Sequence, residues 1–529
     1  MDSTIVMAII LAAFGFFSIW ENLNLLFFQF GRPLMTGTVT GILVGDLKTG
    51  LAIGATLELA ALGVYTYGGA SIPDYASGAI LGTYFASQAS LSPQAAIGLA
   101  VPIALLLTQL DILARMANLF FQHRADAYVK SVDLRRVGLM NMLGTLSWGL
   151  SRAIPIFFGV WLGSGPVKAA VNESPQWLLD GLQTAGGILP ALGIAMLLRL
   201  LPLRQYWPFL VVGFIVAAYL KVNLVGVALL GLAMAALVYR YTGGEEAANV
   251  AAAAEEEPAA EGRITRRDLR RVFLRYLLWF QSGWNYERMQ GLGYAHVISP
   301  VMEKLYPDEG VRRQALTTHL QFFNTNPLMA APILGANIAV EEKNEEPEFP
   351  ERSVTGLKTG MMGPFAGIGD SFFFAICNTI VFSVGASLAL KGSIVGPVIV
   401  FLYTIIFFTA FRWWSFVAAY RRGVRLVGQL AGGMLRRLTD AASILGLAVV
   451  GGLIPTIINT KVAYVFHSGR VKLNLQDQLD NILPALVPVL IVALVYFALS
   501  RRVRPTWAIL GLLVLGVVFS VAGILKYPG

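Results

Sequence analysis

Residues Trp507–Leu525 read WAILGLLVLGVVFSVAGIL, an apolar run without a charged side chain. A helix needs about 20 mostly apolar residues to cross the hydrocarbon core of a bilayer, so this run predicts a membrane span. Comparable runs predict further spans at 4–20, 137–162, 186–201, 210–238, 372–390, 394–411, 441–458 and 482–500. The chain is 56% hydrophobic and 13% charged, whereas soluble domains are about 45–50% apolar and about 25% charged. We therefore predict an all-α, multi-pass membrane protein.

The formal net charge of +9 raises the question of nucleic-acid binding. Lysine and arginine instead concentrate at the ends of apolar runs, as in Arg421–Arg422 and Arg501–Arg504. This distribution is typical of the positive-inside pattern of membrane proteins, so we expect no nucleic-acid partner. Cys377 is the only cysteine, which excludes an intrachain disulfide or a cysteine-based metal cluster. The sequence also carries no phosphate-binding loop, zinc motif or nucleophile elbow, and we expect neither a metal nor a cofactor.

The composition of the chain changes sharply at residues 243–262, which read GGEEAANVAAAAEEEPAAEG. This acidic, alanine-rich stretch has the composition of a linker. An arginine-rich stretch follows at 263–275, and positive charge beside a spanning region predicts that the linker is cytoplasmic. The linker divides the chain into two parts of similar size, 1–242 and 263–529, which we predict to be separate membrane domains.

Two short echoes relate these halves. LKTG at 47–50 recurs at 357–360, and ILPAL at 188–192 recurs at 482–486. The echoes occur in the same order, and each ILPAL is followed by an apolar run and a basic connector that contains proline. We predict two related helical halves with broken or re-entrant helices. Transporters built from repeated halves bind their substrate near the bilayer midplane, where broken helices meet.

In the first half, two acidic residues are candidates for a site. Glu58 lies inside the apolar run GLAIGATLELAALGVY, where a charge costs roughly 2.5–3.5 kcal/mol. A buried structural hydrogen bond and a substrate contact would both explain it. Asp74 lies in YGGASIPDY at 67–75, where glycine and proline predict a break. That segment is either a re-entrant tip beside a wet cavity or a surface loop. A polar cluster interrupts the first apolar run and marks either a helix end or part of the same cavity: Glu21, Asn22, Asn24 and Gln29.

In the second half, amides and acids stand beside residues predicted to break helices. Asn324 and Asn326 flank Thr325 just before Pro327, and Asp370 ends the glycine-rich stretch GLKTGMMGPFAGIGD. Carboxylates and amides can form paired hydrogen bonds with the hydroxyls of a polyol. Aromatic side chains that offer flat apolar faces are nearby in sequence: Trp284, Tyr286, Phe322 and Phe323.

These segments also resemble a known family. NYERMQGLGYA at 285–295, HLQFFNTNP at 319–327, APILGANIAVEE at 331–342 and GLKTGMMGPFAGIGDS at 356–371 are similar to signature regions of the IID subunit of mannose/fructose/sorbose-type phosphotransferase permeases. GDLKTGLAIGATLELAALGVY at 45–65 and GGASIPDYASGAILGTYFA at 68–86 resemble the IIC subunit of the same family. The fusion is a departure, because these subunits are usually separate polypeptides.

The resemblance implies that the chain forms the sugar-translocating unit of a bacterial cytoplasmic membrane, working by alternating access and assembled as a trimer. Its substrate would be a mannose-, fructose- or sorbose-like sugar or an amino sugar. Soluble IIA and IIB partners would pass phosphate from phosphoenolpyruvate to the sugar, so no catalytic phosphohistidine is expected in this chain. On the same basis a substrate-binding role is carried onto Glu58, Asp74, Gln290, Asn324, Asn326 and Asp370.

Two other functions remain open from the residues alone. In an ion-coupled secondary sugar transporter, Glu58, Asp74 and Asp370 would serve as the coupling carboxylates. A membrane-embedded enzyme that acts on a lipid-linked sugar is the second alternative. The energy source for uptake distinguishes an ion-coupled transporter from a phosphotransferase permease. The product distinguishes the enzyme, because a permease of this kind yields free sugar phosphate and not a lipid-linked sugar.

Overall fold

The computed structural model describes residues 3–65, 72–89, 92–173, 175–242, 263–344, 348–423, 433–458, 460–468 and 471–527. The linker at 243–262 and part of the predicted break at 67–75 lie outside these ranges. The described first half is helical throughout, with α1 Ser3–Leu23, α2 Pro33–Val44, α3 Leu47–Ala61, α4 Tyr75–Ala89, α5 Pro93–Lys130, α6 Leu134–Glu173, α7 Gln176–Ile188, α8 Pro190–Leu200, α9 Leu203–Ala218 and α10 Leu224–Thr242.

The described second half adds twelve further helices and two short antiparallel strand pairs. The first helices are α11 Arg266–Trp279, α12 Gly291–Leu305, α13 Glu309–His319, α14 Ala330–Glu342, α15 Glu351–Gly369, α16 Thr379–Leu390, α17 Val395–Tyr403 and α18 Thr409–Arg422. The later ones are α19 Gly433–Ile457, α20 Leu475–Ile482, α21 Leu486–Ser500 and α22 Pro505–Val521. The strands are β1 Lys461–Val462, β2 Val465–Ser468, β3 Val471–Asn474 and β4 Leu525–Lys526, paired β1 with β4 and β2 with β3.

Several of these helices are long and apolar enough to cross a membrane. Within the described residues there are six such stretches, and the bent pair α20–α21 would make a seventh. The six are Ser3–Leu23, Ala95–Lys130, Gln176–Leu200, Glu351–Leu390, Val395–Arg422 and Thr439–Ile457. The prediction of an all-α, multi-pass membrane protein is confirmed.

The repeated ILPAL motif marks different backbone features in the two halves. In the first half, Leu189 between α7 and α8 keeps right-handed helical dihedrals (φ −54°, ψ −37°), and Gln176–Leu200 form one helical stretch that continues past Pro190. In the second half, α20 and α21 differ in direction by 76°, and Ala485 between them has a positive φ of 60°. Among the described residues, the motif therefore coincides with a sharp break in the second half but not in the first. α8 packs against α21, so the two copies of the motif lie beside helices in contact.

Residues 210–238 form two helices, and the prediction of one continuous span was wrong. α9 ends at Ala218, and α10 begins at Leu224. Lys221 has a φ of 57°, which interrupts the right-handed helix. Asn223 then accepts a hydrogen bond of 2.9 Å from the backbone N–H of Gly226, as a helix N-cap does. The apolar run hid a turn because only one lysine and one asparagine mark it.

The stretch before Asp370 is continuous, although its glycines and proline predict a break. α15 runs through Pro364, Gly367 and Gly369, and Asp370–Asn378 continue it as a π-helix before α16. A second π-helical segment, Thr404–Phe408, joins α17 to α18. A π-turn inserts an extra residue without ending a helix and is frequently found at functional sites. In this protein the first π-helical segment begins at Asp370.

The halves share one packed interior. One apolar cluster contains Leu34, Leu51 and Leu197 from the first half with Phe382 and Leu453 from the second. Hydrogen bonds also cross between the halves, at the segment that joins α11 to α12. The Asn118 amide donates to the backbone oxygens of Ser282 and Trp284, at 3.3 and 3.0 Å. The Asn141 amide donates to Trp279 O at 2.7 Å, and the Asn24 side-chain oxygen accepts from Gln281 N at 3.0 Å. The segment is therefore held by side chains of the other half.

Candidate functional site

A cavity of about 180 Å³ lies where the two halves meet. Its first-half wall comes from the end of α1, the loop before α2, the start of α4 and the facing sides of α5 and α6. Its second-half wall comes from the segment joining α11 to α12, from residues 324–327, and from the junction of α15 with the π-helix. A cavity needs only about 10–15 Å³ on this measure to hold one water molecule, so this one has room for a small polar ligand.

Most of the residues predicted from the sequence line this cavity. They are Asp74 from the first half and Gln290, Asn324, Asn326 and Asp370 from the second. Glu58 is not among the lining residues. Among the aromatic candidates, Trp284 lines the cavity, whereas Tyr286 and Phe322 are exposed and Phe323 is buried in the core.

Glu58 lies behind the cavity wall and is fully buried. Its carboxylate pairs with Arg32, whose Nε donates to Glu58 Oε1 at 2.9 Å, and it also accepts from the backbone of Leu34 at 3.3 Å. Arg32 itself lines the cavity, with its guanidinium carbon 4.6 Å from the centre of the Tyr65 ring. The cation that stabilises Glu58 thus precedes it by 26 residues. A substrate contact of Glu58 stays a prediction. In this geometry Glu58 binds Arg32 and Arg32 lines the cavity, so Glu58 would influence a substrate through Arg32.

Asp74 belongs to a network of four buried charges. Its carboxylate caps α4 by accepting from Ser77 N at 3.0 Å and from Ser77 Oγ at 2.7 Å. Arg152 Nε lies 3.1 Å from Asp74 Oδ2, and Arg152 Nη2 lies 2.7 Å from Asp111 Oδ1. Arg115 Nε reaches the other oxygen of Asp111 at 2.8 Å. The two arginines balance the two aspartates, so the network is neutral as a unit.

The network connects to an aromatic wall. The guanidinium carbon of Arg115 lies 4.5 Å from the ring centre of Trp284 and 5.4 Å from that of Trp148. Such a cation–π contact is strongest when the cation is desolvated, as it is here, where Arg115 is 4% exposed. Trp284 is supplied by the second half and Arg115 by the first. The contact between Arg115 and Trp284 therefore positions the two side chains relative to each other across the halves.

Gln290 holds the loop that carries Asn324 and Asn326. Its side-chain oxygen accepts from Thr325 N at 3.0 Å, and its amide donates to Thr325 O at 2.8 Å. The backbone N–H of Gln290 donates to Phe323 O at 2.8 Å. Most of its hydrogen-bonding capacity is therefore engaged within the protein. Although Gln290 lines the cavity, this geometry favours positioning of the loop over direct contact with a ligand.

Replacing Gln290 by alanine is expected to destabilise the protein by about 1–3 kcal/mol, because both Thr325 backbone groups are then left buried without partners. Sugar binding should weaken as the loop moves. Thermal unfolding in detergent and equilibrium sugar binding measure the two effects. Gln314→Ala is the matched control, since Gln314 is exposed and its side chain, among the described residues, bonds the surface residue Glu351 at 3.0 Å. Equal stability of Gln290→Ala and Gln314→Ala would contradict the inference that Gln290 holds the loop at Thr325.

Asp370 and Asn326 form a pair at the second-half wall. Asn326 Nδ2 donates to Asp370 Oδ1 at 2.8 Å, and Asn326 Oδ1 accepts from Leu328 N at 2.9 Å. Within the described ranges, Asp370 Oδ2 and the side-chain amide of Asn324 make no hydrogen bond, and Asp370 has no cationic partner. The cavity therefore presents an acceptor and an amide with unused hydrogen-bonding capacity.

The polar cluster of the first apolar run both ends a helix and lines the cavity. Glu21 accepts from the backbone N–H groups of Phe27, Phe28 and Phe30, at 2.6 to 2.8 Å, and so shapes the loop after α1. Asn22 and Gln29 line the cavity. On the opposite side, Tyr65 stacks on Phe374 across the two halves, with ring centres 5.5 Å apart.

Reasoning from the sequence missed the buried cations of the site. Arg32, Arg115 and Arg152 all line the cavity together with Asp111. A signal was present, because Asp111, Arg115 and Arg152 lie inside apolar stretches that form helices α5 and α6. An ionisable residue within a membrane segment is a functional-site candidate by default, the rule that singled out Glu58.

Comparison with known proteins places each half in the same system. Residues 263–525 match the "PTS system mannose/fructose/sorbose family IID component" model, and residues 5–237 match the "PTS system sorbose-specific iic component" model. The mannose-specific EIID component of Escherichia coli K12 is 36% identical over 51% of this chain and 98% of its own length. The fructose permease IIC component of Bacillus subtilis 168 is 34% identical over 43% of this chain and 85% of its own length.

A solved chain from the complex of the mannose transporter ManYZ with microcin E492 is 37% identical over 50% of this chain and 99% of that chain, with a TM-score of 0.30. Because the chain covers nearly the full length of the EIID relative and carries a IIC match beside it, both membrane components are present in one polypeptide. The chain belongs to the mannose/fructose/sorbose family of the phosphotransferase system (PTS), as a multi-pass IIC–IID membrane component of sugar transport.

Proposed function

We propose that the cavity between the halves is the sugar site, and that the chain carries a hexose-type sugar inward by alternating access. A separate IIB protein, charged through IIA, phosphorylates the sugar on the cytoplasmic side. The substrate is a mannose-, fructose- or sorbose-like sugar or an amino sugar. The observation that carries this proposal is a cavity, about 180 Å³ in volume and lined by amides and carboxylates, that both family-matched halves line.

The chemistry of the wall supports a sugar rather than an apolar ligand. Asp370 Oδ2 can accept from a sugar hydroxyl, and the amide of Asn324 can both donate and accept. Trp284 offers a flat apolar face to the C–H groups of a pyranose ring. Asp74 in the first-half wall and Asn326 and Gln290 in the second-half wall also line the cavity, although their polar atoms hold the protein together as well. Glu58 acts on this site through Arg32.

The proposal also includes the oligomeric state, the location and the partners of the protein. The unit is a homotrimer in a bacterial cytoplasmic membrane, with IIA and IIB as its soluble partners. The linker at 243–262 lies on the cytoplasmic side. Joining two subunits in one chain raises their effective concentration for each other, which favours assembly of a cavity that needs both halves.

One observation favours ion coupling as a second candidate function. Among the described residues, Asp370 has no cation to balance its charge, and a carboxylate inside a membrane protein can bind a proton or Na⁺ during transport. The carboxylates of Glu58, Asp74 and Asp111 are each paired with arginine, and that of Glu21 is bound by backbone N–H groups of the loop after α1. Asp370 would be the coupling residue of such a transporter.

Uptake into vesicles separates the two functions. Vesicles containing the chain are supplied on the cytoplasmic side with IIA- and IIB-type partners, phosphoenolpyruvate and the soluble enzymes that transfer its phosphoryl group to IIA, and are expected to accumulate sugar phosphate. Omitting either partner should abolish accumulation, and an uncoupler should leave it unchanged. Uptake of free sugar that stops with the uncoupler and ignores phosphoenolpyruvate would overturn the phosphotransferase proposal in favour of ion coupling.

A further inference from the structure

Helix α11 has an arginine face that the sugar path does not use. Arg266, Arg267, Arg270 and Arg271 are all exposed. At 100° per residue these four side chains lie on one side of the helix, together with Leu274. Leu269, Val272, Phe273 and Tyr276 on the opposite side are buried against the protein. We call the four arginines the arginine face.

The arginine face lies beside the end of a membrane span. Glu342 joins the two elements, because it accepts from Ile264 N at 2.6 Å just before α11 and from the Tyr420 hydroxyl at 2.5 Å in α18. Farther along, the ring of Phe273 meets that of Trp413 with centres 4.8 Å apart. The span Val395–Arg422 therefore ends next to the start of α11. Its last two residues, Arg421 and Arg422, are exposed and add to the same positive region.

This positive charge is not neutralised within the part of the chain that the structure describes. Neither the arginine face nor Arg421 and Arg422 makes an ion pair with a described acidic residue. Asp268, the acid on α11, points to the buried side, where it pairs with Lys304 at 2.5 Å. A cluster of uncompensated arginines repels itself, so a stable arrangement calls for an anionic partner.

Exposed apolar groups adjoin the arginines. Leu274 is 55% exposed, and Trp413 and Trp414 on α18 are 37% and 52% exposed. Tryptophan concentrates at the membrane–water interface. A helix with arginines and large apolar residues on its outer surface is typical of one that lies in the plane of the interface. An acidic protein surface would satisfy the charges but would leave these apolar groups in water.

We propose that the arginine face, with Arg421 and Arg422, binds the headgroups of anionic phospholipids such as phosphatidylglycerol. The guanidinium groups pair with lipid phosphates, and Leu274, Trp413 and Trp414 enter the acyl boundary. The lipid thereby holds the beginning of the second half at the bilayer surface. This inference does not depend on which sugar the cavity binds or on how transport is coupled.

Photo-cross-linking of the full chain tests the proposal. The chain is reconstituted in vesicles that contain a photoactivatable phosphatidylglycerol, or the same probe on phosphatidylcholine, and cross-linked peptides are mapped. Cross-links at 266–279 and 413–422 are expected with phosphatidylglycerol at several times the yield with phosphatidylcholine. Each arginine near an anionic surface contributes roughly fivefold to binding, so changing all four of the arginine face to glutamine should reduce the yield at least about tenfold.

Two controls make the result specific. Changing the four residues to lysine preserves the charge and should keep most of the cross-linking. Changing four other exposed arginines to glutamine removes the same charge elsewhere and should leave the yield at α11 unchanged; these are Arg124, Arg135, Arg136 and Arg313. Each variant is first checked for insertion and a single gel-filtration peak, so that a misfolded protein is not counted.

Three outcomes would overturn the proposal. Equal yields with the two lipid probes would show that the headgroup charge is not recognised. Cross-linking that appears only after Glu255, Glu256 and Glu257 are changed to glutamine would show that the acidic linker is the occupant. Absence of lipid cross-links, with protection of α11 on addition of IIB, would identify a protein docking surface instead.

Discussion

Replacing Asp370 by asparagine is expected to weaken sugar binding about 10- to 100-fold, with little effect on insertion. Asp370 presents its second carboxylate oxygen to the cavity while Asn326 holds the first at 2.8 Å. A hydrogen bond to a charged group contributes about 1.5–3 kcal/mol, which corresponds to that range. Asparagine has nearly the same shape and can still bond Asn326, so the wall should keep its form. Equilibrium binding of radiolabelled sugar and phosphoenolpyruvate-driven uptake measure the effect.

Two further variants sharpen the Asp370 result. Asp308→Asn also removes one negative charge, but Asp308 is exposed and caps α13 through Val311 N at 2.9 Å. Asparagine caps equally well, so this control should bind sugar normally. Asn326→Ala leaves Asp370 without its hydrogen-bond donor and should also weaken binding. Unchanged uptake and binding in both Asp370→Asn and Asn326→Ala would show that the second-half wall is not the sugar site.

Replacing Arg152 by glutamine is expected to destabilise the protein by about 3–5 kcal/mol and to abolish uptake. Arg152 bridges Asp74 and Asp111 within the protein, and its side chain is 7% exposed. Asp111 would retain Arg115, but Asp74 would be left with Ser77 as its described partner. Removing one member of a buried ion pair has this cost because the remaining charge is uncompensated. Thermal unfolding of the purified protein in detergent reports the loss.

A matched control and a double variant isolate the charge effect at Arg152. Arg136→Gln lies in the same helix, and its ion pair with Asp133 is exposed, with an N–O distance of 3.3 Å. A surface pair of this kind contributes only about 0–1 kcal/mol. Combining Arg152→Gln with Asp74→Asn removes the unpaired charge and should recover much of the stability. Equal stability of Arg152→Gln and the wild type would mean that the network carries no such role.

The helices were predictable where apolar runs are long and clearly bounded. The predicted spans at 4–20 and 372–390 fall within the membrane-crossing stretches Ser3–Leu23 and Glu351–Leu390. The predicted spans at 137–162 and 507–525 belong to helices α6 and α22, which are not among the six stretches that are long and apolar enough to cross a membrane. The prediction was wrong at 210–238, where Lys221 and Asn223 turn the chain inside an apolar run. It was also wrong about a break before Asp370, because a π-helical continuation depends on packing and not on the local residues. Hydropathy reports how much apolar surface a segment carries and not the direction of its backbone.

The same contrast holds at the site. Asp74, Asn324, Asn326 and Asp370 were predictable because polar groups beside glycine and proline in an apolar chain need a wet or buried partner. The partners were not predictable. Arg152 meets Asp111 across 41 residues and Asp74 from a different helix, and no periodicity links such positions. Gln290 was predicted to contact substrate, yet its amide is engaged by the backbone of Thr325.

The sequence by itself determined the class of the protein and the family that residues 5–237 and 263–525 each match, and it predicts a division into two halves around residues 243–262. These follow from composition and local motifs, which are properties of neighbouring residues. Only the tertiary structure decided that segments from both halves line one cavity, that Glu58 is neutralised by Arg32, and that Asp370 has no described cation beside it. Charge pairing and enclosure depend on distances between residues far apart in the chain, and those distances are set by how the helices pack.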